Sequence, residues 1–167
     1  MNTDKYYTPT IEEFHVGFEF EFRQMRYNFE GDVNEDVESN MWVSEKVFKE
    51  DLTEDPERNR NFGHNDWFNV FRFPIRVKYL DKEDIENLGF EVMGGQMISG
   101  GRIDCQKEYK DPRGVYDKAM LTFTPSKNWV IIAVGDDETS FHDWNTLFAG
   151  TIKNKSELRR LLKQLGI

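Results

Sequence analysis

From Phe14 the chain places an apolar residue at every second position, Phe14, Val16, Phe18, Phe20 and Phe22, and fills the gaps with His15, Gly17, Glu19, Glu21 and Arg23. Only extended backbone sends alternate side chains to opposite faces, so this run specifies a β-strand with one face in a core. A strand of this kind cannot bury an aromatic face alone, and the rest of the chain has to supply partners. Between Phe68 and Tyr79 the same period returns: Phe71, Phe73, Ile75, Val77 and Tyr79 alternate with Arg72, Arg76 and Lys78, while Pro74 argues for an edge or a bulge. Laid beside the first strand, the basic face of the second would set Arg72, Arg76 and Lys78 against Glu19 and Glu21 as cross-strand pairs.

Further strands follow from apolar runs bounded by turn residues. Phe90 to Met93, Arg102 to Tyr109, Lys118 to Thr124, Trp129 to Val134 and Thr146 to Ile152 read as extended, and Pro125-Ser126-Lys127-Asn128 makes 118–134 a hairpin. A weaker strand or helix lies around Met41 to Phe48. Gln96 to Ser99, between two Gly-Gly pairs, reads as a small hairpin arm. These glycines lack the Lys-Ser/Thr and the following helix of a phosphate-binding loop, and no other cofactor motif is present, so no cofactor is expected.

Helical signals are few. Thr10 and Glu13 have capping-box spacing for one short turn, and Asp81 reads as an N-cap, with Leu80 and Ile85 in staple spacing and Gly89 as the stop of a helix at about 81–88. Asn154 caps a last helix at about 155–165 with Glu157 completing a capping box. Its Leu158, Leu161, Leu162 and Leu165 form an apolar stripe opposite Lys155, Arg159, Arg160 and Lys163. Leu161 and Leu162 are therefore expected against the sheet. The fold class is α+β: a mainly antiparallel sheet with a short capped helix and a C-terminal amphipathic helix. At 167 residues, one domain over 1–167 is expected.

The net charge is −9, and all of it sits in one stretch. Residues 30–57 hold eleven acids, Glu30, Asp32, Glu35, Asp36, Glu38, Glu45, Glu50, Asp51, Glu54, Asp55 and Glu57, against Lys46 and Lys49; the remainder balances at 20 acids and 20 bases. One reading is a solvated insertion at about 30–57. The other is a contact surface for a protein with a basic face, made by Glu45, Glu50, Asp51, Glu54, Asp55 and Glu57. Cys105 is the single cysteine, which excludes an internal disulfide and points to a reducing compartment. The first residues lack a basic and an apolar signal region, and no stretch reaches the roughly 18 apolar residues of a membrane span. A cytoplasmic protein with no membrane partner is expected.

Chemistry-bearing residues are sparse. His15, Glu19 and Glu21 stand on one side of the first strand, where two carboxylates and an imidazole could hold a divalent metal or act as acid and base. Against that, a strand spaces them roughly 7 Å apart, no second cluster completes a site, and a solvated face paired with a basic strand accounts for them. His64 beside Asn65 and Asp66, and His142 beside Asp143, have no zinc spacing. Ser140, His142 and Asp143 supply the residue types of a hydrolytic triad without a nucleophile-elbow glycine pattern. Trp42, Trp67, Trp129 and Trp144 could stack on bases, but the chain is acidic, and direct nucleic-acid binding is not expected.

Three stretches, TIEEFHVGFEFEF, IRVKYLDKEDIENLGFE and LFAGTIKNKSELRRLLKQLGI, cover about 50 residues. Together they resemble a family of small uncharacterised proteins encoded by bacteriophages and prophages. The resemblance implies a small accessory protein working in the cytoplasm of an infected or lysogenic bacterium, or carried in the virion, and it carries over no catalytic residue. The expectation that follows is a non-enzymatic phage protein that binds and inhibits a host macromolecule, such as a CRISPR effector or another nucleic-acid-handling defence protein. A virion or assembly component is the alternative, and a metal-dependent hydrolase built on His15, Glu19 and Glu21 is a second one.

Overall fold

The computed structural model describes residues 5–23, 42–47, 75–93, 101–136 and 144–167. Contacts divide the chain into two compact units, Asp4–Lys78 and Tyr79–Ile167, each with its own sheet and apolar cluster. Among the described residues the fold is α+β, with nine antiparallel strands in two sheets and two α-helices.

The first unit is a four-stranded sheet. Its strands are β1 (Tyr6–Tyr7), β2 (Glu19–Arg23), β3 (Trp42–Lys46) and β4 (Ile75–Lys78), in the spatial order β1-β4-β2-β3. Phe18, Phe20, Val47, Ile75 and Val77 form its core, with Tyr7, Phe14 and Phe22 packed against them. The aromatic rings meet at angles, Phe14 lying 5.0 Å from Phe18 and 5.5 Å from Phe20 between centroids, which is the offset geometry that aromatic quadrupoles favour.

The period-two run starts later than its sequence pattern says. β2 begins at Glu19, because Gly17 takes φ +87° and the chain turns there, with Phe18 N–H donating to His15 C=O at 2.8 Å. Val16, expected in the core, is 54% exposed as a result. The short turn at Thr10 is a 3₁₀ helix, Ile11–Glu13, and Glu13 reaches back to the Thr10 N–H at 3.3 Å as the capping box requires. Of the segment around Met41–Phe48, expected as a strand or a helix, the described part is the strand β3. Of the Phe68–Tyr79 strand, β4 is the described part, with Ile75 and Val77 buried; Phe71, Phe73 and Arg72 lie outside the described residues.

The second unit is a meander. β5 (Glu91–Val92), β6 (Ile103–Glu108), β7 (Lys118–Thr124), β8 (Trp129–Gly135) and β9 (Asn145–Thr151) pair in chain order. The β7–β8 register sets Thr124 opposite Trp129, so Pro125–Asn128 is a four-residue loop that closes through a 3₁₀ turn and a left-handed Asn128 at φ 50°. Asparagine tolerates that conformation, as the turn signal implied. Alternate residues of three strands, among them Cys105, Leu121, Phe123, Val130, Ile132 and Val134, share one buried face.

Two helices pack on the same cluster. α1 (Lys82–Glu86) is fixed by a complete capping box: the Asp81 carboxylate accepts from Asp84 N–H at 3.1 Å and the Asp84 carboxylate from Asp81 N–H at 3.4 Å. Leu80 and Ile85 are both buried, as a hydrophobic staple places them, and Gly89 ends the turn at φ +86°. α2 (Lys155–Leu165) starts at Asn154, whose side chain accepts from Glu157 N–H at 2.9 Å. Leu158 and Leu162 are buried, while Leu161 and Leu165 are only half-buried at the rim of the cluster. Among the described residues no helix is long and apolar enough to cross a membrane.

Candidate functional site

The polar face of the four-stranded sheet is built by register. Glu21 stands opposite Arg76 on β4, and opposite Ser44 on β3, so acidic β2 lies between a basic strand and an edge strand. Arg76 Nε and Nη2 each donate to Glu21 Oε2 at 2.7 Å. The guanidinium carbon sits 3.8 Å from the Tyr6 ring centroid and 3.9 Å from that of Trp42, so both planar faces are covered. Arginine suits this place because its flat, weakly hydrated head stacks on rings while its edge still makes hydrogen bonds. The cross-strand pairing expected for Arg76 and Glu21 is present; Glu19 instead faces Lys46 on β3.

This arrangement removes two members from the proposed His15, Glu19 and Glu21 set. Glu21 is committed to Arg76, and the turn at Gly17 takes His15 out of the strand. His15 Nδ1 lies 3.0 Å from Val16 C=O, and its ring meets Phe18 edge-on at 5.6 Å. Among the described residues no three His, Cys, Asp or Glu side chains converge as metal ligands. His64, Ser140, His142 and Asp143 lie outside the described residues.

Of the six acids expected to form a contact surface, Glu45 is described, on β3. Glu50, Asp51, Glu54, Asp55 and Glu57 lie outside the described residues. Glu45 is exposed, and its carboxylate accepts from Lys46 N–H at 3.1 Å. It pairs with Phe20 and so stands on the apolar side of an edge strand, where an inward charge discourages sheet-to-sheet pairing. The described part of the acidic segment is thus the edge of a sheet, with Ser44, Glu45 and Lys46 all exposed.

Two polar features of the second unit escaped the sequence reading. Asp104 and Thr122 are register partners on β6 and β7; Thr122 Oγ1 donates to Asp104 Oδ1 at 2.6 Å, and Arg102 Nε donates to the same oxygen at 2.8 Å. The network is closed on itself and orders the sheet surface. Asp111, buried in the β6–β7 loop, accepts from the N–H groups of Arg113 and Val115, both at 3.2 Å. Its burial opposes ionisation, but these bonds and the Arg113 guanidinium hold its carboxyl below the ordinary value. Cys105 is fully buried, and burial first, then the charges of Asp104 and Glu86, pushes its thiol up to about 11. A thiol in that state is a small core side chain and a poor nucleophile. Only the strand register reveals the first of these features; the Asp-x-x-Gly spacing of residues 111–114 is a local turn signal for the second.

No protein-family model, curated protein or solved structure was found to match the chain.

Proposed function

We propose that this chain is a non-enzymatic binding protein that uses the acidic stretch 30–57 to engage a basic surface on a host macromolecule and inhibit it. In its finer form, which rests on the resemblance to phage proteins, the target is a nucleic-acid-handling defence protein such as a CRISPR effector. The observation that carries the reading is the charge layout: the whole net charge of −9 falls within 28 residues, while the rest of the chain is balanced. Charge needed only for solubility gains nothing from such concentration, whereas a concentrated field steers a partner of opposite sign and raises association rates by about 10–10³-fold. A channel that holds a guide or target strand is strongly positive and suits such a partner. The exposed Glu45 on an edge strand puts one of these acids at a solvent-facing rim.

Affinity capture of the tagged chain during infection of its bacterial host tests the reading. A stoichiometric basic nuclease or nucleic-acid-binding protein supports it. Capsid or tail proteins in its place would assign the chain to the virion, and recovery of no stoichiometric partner would sink the inhibitor.

A further inference from the structure

Among the described residues the two sheets end in four edge strands, β1 and β3 in the first unit and β5 and β9 in the second. An edge offers unpaired N–H and C=O groups to any extended chain, and natural sheets guard it with short strands, charges, proline or bulges. β1 and β5 are two residues long, and β3 carries Glu45 and Lys46, both exposed. β9 is the least guarded. It runs for seven residues, Asn145–Thr151, without a charge or a proline, in a chain that is 32% charged. Its one irregularity, a register shift between Ile132 and Ala133 of β8, falls at Leu147 and leaves Phe148 to Thr151 in regular register.

The ladder says which groups of β9 point outward. Ile152 N–H donates to Asn128 C=O at 2.8 Å, and the register sets Gly150 opposite Val130 and Phe148 opposite Ile132. In an antiparallel ladder alternate residues bond to the same neighbour, so Phe148, Gly150 and Ile152 face β8, while Ala149 and Thr151 direct their N–H and C=O away from it. Both of these residues are exposed. A second β9 supplies the matching groups. Set antiparallel across a two-fold axis centred on Ala149, it places Ala149 opposite Ala149, and Phe148 of each copy opposite Gly150 of the other. Gly150 leaves room for this, since the Phe148 ring already leans over it, 2.8 Å from where a Cβ would lie. A two-fold contact uses one surface twice, and along this uncharged strand no charge meets its like.

We propose that β9 is a self-docking edge: two copies of the chain pair through it, antiparallel, and join their five-stranded sheets into one. A single strand pair buries less than the roughly 1,200–2,000 Å² of stable complexes, so the dimer is a weak one. The edge belongs to the Tyr79–Ile167 unit and lies outside the acidic stretch, so the proposal stands whether or not the inhibitor reading does.

Sedimentation equilibrium of the whole chain from about 10 µM to about 1 mM, at about 0.15 M salt to screen the acidic stretch, tests it together with amide hydrogen exchange at both ends of that range. The expected result is a monomer–dimer equilibrium with Kd inside the range. The amides of Ala149 and Thr151 should exchange about fivefold more slowly at the high concentration, while those of Phe148 and Gly150, bonded to β8, are protected at both. Ala149→Lys sets two like charges against each other at the axis and should weaken the dimer by about tenfold or more. Ala149→Pro, which removes an outward N–H and no bond to β8, is the second variant. A chain still monomeric at the highest concentration leaves the edge to a strand of some other protein and overturns the proposal. A dimer without slowed exchange at Ala149 and Thr151, or one of unchanged affinity in a folded Ala149→Lys variant, would overturn it equally.

Discussion

Arg76 joins every strand of its sheet. Its backbone is in β4, its charge is held by Glu21 of β2, and its two faces are covered by Tyr6 of β1 and Trp42 of β3. With side chains 27% and 24% exposed, the ion pair is partly shielded from water, and the stacking adds to it. Arg76→Lys keeps the charge but loses the planar head, so denaturant unfolding should show a loss of about 1–2 kcal/mol. A loss near zero would mean the rings do not grip the guanidinium. Cys105 gives a prediction in pH. Its folded thiol is raised from 9.0 to about 11, so between those values the unfolded chain releases a proton that the folded chain keeps. Its contribution to stability is therefore present below pH 9 and lost as pH rises towards 11. At pH 8 the native thiol should resist iodoacetamide and react fully on unfolding; rapid labelling of the native protein would contradict its burial.

At the scale of elements, α2 and the β7–β9 sheet carry the sharpest tests. Leu162→Ala removes a side chain that is 3% exposed and should cost about 2–5 kcal/mol, whereas Leu161→Ala, at a half-buried position, should cost about 1 kcal/mol. Equal costs in chemical denaturation would place the helix differently. Gly135 in β8 has a different constraint: a Cβ there would lie 2.5 Å from the Trp144 ring. Gly135→Ala should lower stability by about 1–3 kcal/mol through displacement of that ring. These elements also show what the sequence could and could not reveal. The first helix is shorter than its signals imply, and the leucine stripe buries Leu158 and Leu162 but leaves Leu161 and Leu165 half-buried, while the β7–β8 hairpin and the starts of both capped helices follow from local rules of turn and cap and stand where the sequence puts them. Val16 does not, because the alternation continues through Gly17, where the backbone turns; period alone cannot see a glycine used at positive φ. The Asp104–Thr122 pair and the cover of Arg76 by Tyr6 and Trp42 depend on which strands are neighbours, and no local pattern states that.

For the whole molecule, the governing feature is the separation of charge, with one acidic stretch and an otherwise balanced chain. Such a layout predicts association that weakens steeply with salt, because exposed charges are screened beyond about 8–10 Å near physiological ionic strength. If these acids form a contact surface, neutralising several of them should leave the fold intact, since substitutions at surface positions move stability by about 0.5 kcal/mol or less each. The direct measurement is the association rate with the captured partner, over a range of salt, for the wild-type chain and for a variant with Asp51→Asn, Glu54→Gln, Asp55→Asn and Glu57→Gln. An acidic contact surface predicts that the variant associates about tenfold more slowly at low salt and converges on the wild type at high salt. Identical rates for the two chains at every salt concentration would contradict it.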